Sequence, residues 1–190
     1  MTGDRKDEVH GSAMMLAPGF TRFAHDSILA VGVDLSDPGF MDGSVILFSG
    51  DDEYYHGITD PLPMEALDDL AGILESCRRH LDGISTGSRG GRDWFVPSRQ
   101  VQDRPPSPMD DAEMGRQPGF VAGHDAFAVV VAPRGTDRQG RKQPMVHLFH
   151  RQDPGEPWTA LMCFDAHWTA SIAQVVAEAM EGPAPSVPGR

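Results

Sequence analysis

The sequence lacks most of the features that would name a compartment or a chemistry. No run approaches the roughly 18 consecutive apolar residues of a membrane-spanning helix. The opening residues, MTGDRKDEVH, have no apolar core of a secretion signal. A cytoplasmic protein with no membrane partner is therefore expected. Cysteine is scarce, and Cys77 and Cys163 each sit in an apolar, periodic segment. Two buried free thiols are expected rather than a disulfide, because a reducing compartment keeps thiols free. Lysine is also scarce, with Lys6 and Lys142 set against fourteen arginines. Together with abundant Ala, Gly, Pro, Asp and Val, this balance fits the codon supply of a GC-rich genome. An accessory protein of a GC-rich bacterium or its phage would have this composition.

Phosphate-binding loops, dinucleotide fingerprints, EF-hand spacing, zinc-ribbon pairs and the G-x-S-x-G elbow are all missing. What the chain does have is charge of one sign in one place. Residues 25–82 hold thirteen acids and two bases, so they carry −11 of the total −12. Such a field repels nucleic acid and anionic membranes and attracts cations or basic proteins. Nucleic acid is accordingly not an expected partner, whereas a basic protein is.

At 190 residues the chain can form one domain or two small ones. Its periodicity favours two copies of one pattern. In the first, SILAVGVDL (27–35), SVILFSG (44–50) and YYHGIT (54–59) are β-rich runs separated by turn formers. DPLPMEALDDLAGILESCRRHL then has the three-and-four spacing of an amphipathic helix at Leu67, Leu70, Ala71, Leu74, Cys77 and Leu81. Asp60 reads as its N-cap, Pro61 as its first residue and Gly83 as its stop. In the second copy, DAFAVVVAP (125–133), MVHLFH (145–150) and WTALMCF (158–164) precede AHWTASIAQVVAEAM, with Asp165 as N-cap. Aligning Asp60 with Asp165 superposes Leu67 on Ile172, Leu70 on Val175, Ala71 on Val176 and Leu74 on Ala179.

The expected fold is therefore α+β, a duplicated β-β-β-α unit forming mainly antiparallel sheet with two helices packed on it. The expected boundaries are a partly disordered N-terminal segment (1–24), an acidic unit (25–82) and a Gly/Pro/Arg-rich tether (83–119). A second unit (120–182) and a loose tail (183–190) follow. The vicinal oxygen chelate enzymes also pair β-α modules. Their element order differs, and no His/Glu set falls here on matched strands, so no family is assigned.

The candidate catalytic residues are His167, Asp165 and His56. CFDAHWTAS places Asp165 and His167 near Thr169 and Ser171. An N-cap carboxylate has a structural role worth about 0.5–2 kcal/mol, and that role accounts for Asp165 without catalysis. His56 follows Asp51, Asp52 and Glu53, donors that suit a transition metal by type but not by any known spacing. His147 and His150 are three apart on a strand and so face opposite ways. No metal and no cofactor are expected. Asp51, Asp52 and Glu53 are the expected acidic contact residues, with Trp94 and Phe95 of the tether as a second contact element.

These features converge on a non-enzymatic binding or protein-interaction module with a protein partner, expected to be basic. Homodimerisation is the expected way of covering exposed sheet edges. The alternative is a small enzyme or metal protein using His56, Asp60, His147 and Asp165 or His167 in a groove between the two units.

Overall fold

Alternating apolar residues form paired strands where one face can be buried. In the computed structural model, which describes residues 20–50, 55–87, 107–136 and 142–181, that tendency gives two antiparallel sheets and a few helices. The architecture is α+β.

The first sheet runs in chain order: β1 (Arg22–His25), β2 (Leu29–Asp34), β3 (Ser44–Gly50) and β4 (Tyr55–Gly57). The Asp26 carboxylate closes the β1–β2 turn by accepting the backbone N–H groups of Ile28 and Leu29, each at 2.8 Å. Gly43 turns the chain into β3 at φ 97°, where a Cβ would come within 2.7 Å of the Asp34 carbonyl. Central β2 is buried from Leu29 to Val33, as its unbroken apolar run requires.

A short strand β5 (Leu62–Pro63) pairs with β3, setting Leu62 opposite Val45. Helix α1 then spans Glu65–Gly87. The helix therefore starts five residues after Asp60, which is exposed and caps nothing in the way the sequence suggests. Leu62 is almost fully buried in the sheet, and that tertiary burial outweighs a local Asp-Pro start signal worth about 1 kcal/mol. Gly83 does not stop the helix either; an interior Gly costs only about 1 kcal/mol, which a helix of this length absorbs.

The second sheet has the order β6 (Phe120–Gly123), β7 (Phe127–Thr136), β8 (Lys142–His150), β9 (Thr159–Asp165). Ala128 to Val131 lie buried in the interior strand β7, as AVVV predicts. A 3-10 turn (Ala166–Trp168) leads into α3 (Thr169–Glu181). Asp165 stands before that turn, but its side chain makes no capping bond. Neither aspartate thus serves as the helix-opening carboxylate that the internal alignment assigns to both. Three of the four aligned helix pairs are buried on both sides, Leu67 with Ile172, Leu70 with Val175 and Leu74 with Ala179, whereas Ala71 is only half-buried against the fully buried Val176.

Part of the stretch read as a tether is folded. Met109 exchanges backbone hydrogen bonds with Trp158, and α2 (Asp111–Gly115) follows. Asp110 and Glu113 form a reciprocal capping box at its start.

The chain divides into two compact units that do not follow chain order. One comprises Met1–Leu67 with Gln174–Arg190, and the other Asp68–Ala173. The first sheet is thus grouped with the C-terminal part of α3, and the second sheet with nearly all of α1. Side-chain contacts agree with this division. The Arg22 guanidinium on β1 donates to the carbonyls of Ala179 (3.3 Å) and Met180 (2.7 Å) at the end of α3. Within the other unit, the Asp69 carboxylate on α1 accepts the Ala126 N–H beside β7 at 3.3 Å.

Candidate functional site

Asp51, Asp52, Glu53, Trp94 and Phe95 lie outside the described residues. His56 is exposed on β4, opposite Ser49. Asp165 and His167 are adjacent, with Oδ2 and Nδ1 3.9 Å apart. That is longer than the roughly 2.6–3.2 Å of a hydrogen-bonded acid–base pair. The His167 side chain is 64% exposed, against 20% for Asp165, and its ring lies against Trp168 with centroids 5.1 Å apart. Among the described residues, no group of three or more His, Cys, Asp or Glu side chains is arranged to hold a metal.

Cys163 departs from its expected burial: it is exposed, whereas Cys77 is fully buried. Burial pushes the Cys77 thiol up to about 11, a rise partly offset by a hydrogen bond with Thr169. Cys163 lies on the edge strand β9, on the opposite side of the sheet from buried Phe164 and beyond the buried cluster of its own face.

The feature with the clearest capacity to bind is one that sequence reading passes over. In the first sheet, Arg22, Ala24, Leu29, Val31, Val33, Val45 and Leu47 share one face, and all but Arg22 are buried. The opposite face carries Phe23 and His25 on β1, Ala30 and Gly32 on β2, and Ile46 and Phe48 on β3. Phe20 folds over Gly32, whose missing side chain makes room for the ring; a Cβ there would stand 2.8 Å from it. The rings of Phe20, Phe23 and Phe48 form a closed triangle. Phe20–Phe48 centroids are 5.7 Å apart edge-to-face, Phe20–Phe23 are 6.1 Å apart, and Phe23–Phe48 are 6.0 Å apart. His25 extends the group, 5.8 Å from Phe23. All four rings are half-buried, so each still offers apolar surface to solvent.

The second sheet shows how a corresponding face is closed. There Ala128, Val130 and Phe149 pack beneath Met109, Met114 and Trp158, with Phe120 at the margin. The covering segment is pinned by one polar knot. Trp158 Nε1–H donates to Asp111 Oδ1 at 2.7 Å, and Arg151 Nη1 donates to the same oxygen at 2.8 Å. The Arg151 guanidinium also lies 4.0 Å above the Trp158 ring centre and donates through Nε to the Asp125 carbonyl. These donors, Trp158 foremost, hold the Asp111 carboxyl below the usual carboxylate range.

The unit with the aromatic face is also acidic. Among the described residues of the unit containing the aromatic face there are eight carboxylates and one fixed cation, Arg22, a net −7. Arg22 is already engaged with the end of α3. The Phe20–Phe23–Phe48 cluster was hidden in the sequence because its members come from a loop and two strands. Only the register of β1, β2 and β3 brings them together. No family model, curated protein or solved structure matches the chain.

Proposed function

We propose that the protein is a non-enzymatic interaction module whose first sheet docks a cationic, apolar segment of a partner protein on the Phe20–Phe23–Phe48 face. The observation carrying this reading is three mutually packed, partly buried phenylalanines in a unit whose described residues carry −7 and include one arginine, already occupied. Contiguous exposed aromatic surface is a recurrent mark of protein contacts. Covering the part of each ring that remains exposed is worth at most about 1 kcal/mol, or about 3 kcal/mol for the cluster. That gain must offset the loss of translational and rotational freedom, so steering by the acidic field sets partner choice and speeds encounter. Stacked nucleobases would also fit aromatic rings, but the negative field opposes a polyanion.

The test is calorimetric titration with three synthetic peptides of equal length: alternating Lys–Leu, alternating Glu–Leu, and all-Lys. The Lys–Leu peptide is expected to bind and to lose affinity severalfold with Phe48→Ala, while the other two bind far more weakly. Equal binding of the Glu–Leu peptide, or indifference to Phe48→Ala in a protein of unchanged circular dichroism, refutes the reading. A single-stranded oligonucleotide binding more tightly than the Lys–Leu peptide refutes it in favour of nucleic acid.

A further inference from the structure

The exposed cysteine has a partner that makes it more than an isolated thiol. Cys163 on β9 stands directly across from His147 on β8 in the strand register. Its Sγ lies 3.8 Å from the Nε2 of His147. The imidazole is 7% exposed, so the sheet fixes its position, while the thiol is open to solvent. In the tautomer protonated at Nδ1, Nε2 meets the sulfur as a proton acceptor.

The surroundings explain why this pair stays open. The cover over this face reaches β9 at Ala160, whose N–H donates to Ser107 Oγ at 2.9 Å, and is held just before the strand by Trp158, which pairs with Met109. Cys163 lies three residues further along the edge strand, past those contacts. His147 sits in the same sheet as the buried valines of β7, opposite Val130. A small reagent can therefore reach the sulfur without displacing the cover.

We propose that Cys163 and His147 form a reactive thiol–imidazole pair, a site of reversible thiolation by low-molecular-weight disulfides. In the exchange, the Cys163 proton passes to His147 Nε2 as the sulfur attacks one sulfur of the small disulfide. A new Cys163 S–S bond forms and the original S–S bond breaks. The leaving thiolate takes up the proton and departs as a free thiol. Cys163 is oxidised to the disulfide level, and one half of the reagent is reduced. An adjacent imidazole is the arrangement that raises thiol reactivity in proteins, through the thiolate that does the attacking.

Cys77 supplies an internal control, being buried with its thiol pushed up to about 11. The folded full-length protein is treated with dithiodipyridine, a neutral small disulfide, at about pH 6.5, below the free-thiol range. Pyridinethione release is followed, and the modified residue is identified by peptide mass spectrometry. One thiol per chain, Cys163, is expected to react, and at least about tenfold faster than in the urea-unfolded chain. Cys163→Ser is expected to remove the fast phase, and His147→Gln to slow it about tenfold. A native rate no greater than the unfolded rate overturns the proposal, whether or not His147→Gln folds. So does equal labelling of Cys77 and Cys163, or a folded His147→Gln protein that reacts within about twofold of the wild type.

Discussion

Replacing Arg22 with Met tests the grouping of the last helix with the first sheet. Arg22 lies 157 and 158 residues from its acceptors, the carbonyls of Ala179 and Met180, at 3.3 and 2.7 Å. A helix leaves its last four carbonyls without intrahelical partners, and a cation there also complements the negative end of the helix dipole. A hydrogen bond from a charged donor is worth about 1.5–3 kcal/mol, and the dipole adds about 0.3–1 kcal/mol. The longer of the two bonds is weak and the guanidinium only half-buried, which places the expected loss near 2 kcal/mol. For a protein of this size, that corresponds to a fall in Tm of about 4–8 °C. Arg22→Lys keeps the charge but not the two-pronged geometry, and should recover about half of the loss. Thermal unfolding followed by circular dichroism measures all three proteins side by side. A loss below about 0.5 kcal/mol for Arg22→Met refutes the argument, because that is the scale of an ordinary surface substitution.

Two further tests follow from titrating groups. The Cys77 thiol is raised from 9.0 to about 11 by burial, so folding favours its protonated form. That stability is fully present below pH 9 and is lost as pH rises from 9 to 11, about 2–3 kcal/mol in all. Urea midpoints at both ends of that window should fall for the wild type, whereas Cys77→Ala should lack this part of the decline; parallel declines would contradict the cause. The Asp111 carboxyl is held down by Trp158 and Arg151, so its contribution is present above the ordinary carboxylate range and fades as pH falls through its lowered value. Asp111→Asn should therefore speed amide hydrogen exchange at Met109 and Trp158 near neutral pH, leaving little acid-dependent change at those two amides. Unchanged exchange would mean that the polar knot does not hold the segment down.

Legibility in the sequence followed the range of the interactions involved. β3, the buried run of β7 and the apolar stripes of both helices were legible because each depends on a local period. The start of α1 was not, because the burial of Leu62 against Val45 is settled by a strand pairing that no local signal encodes. An amphipathic stripe likewise states that a helix has one apolar side without stating which sheet receives it. Thus Leu70 and Val175 read alike, and neither reveals that α1 groups from Asp68 onward with the second sheet and α3 from Gln174 onward with the first. Both binding features are cross-strand objects. Phe20, Phe23 and Phe48 meet through three strands, and Cys163 meets His147 through β8–β9 pairing. The segment 107–119 looked like a linker because its hold on the sheet depends on Met109, Met114 and a few polar bonds, with too little repetition to register as a pattern.

The exchanged helices carry a consequence for the order of events on the ribosome. The residues grouped with the first sheet from Gln174 onward are translated more than a hundred residues after Leu67, where the earlier part of that unit ends. Until they emerge, the Arg22 guanidinium lacks the Ala179 and Met180 carbonyls that accept it in the folded chain. Completion of this half therefore waits until the whole of the other unit has been synthesised. During that interval the nascent chain is a natural client for a holding chaperone.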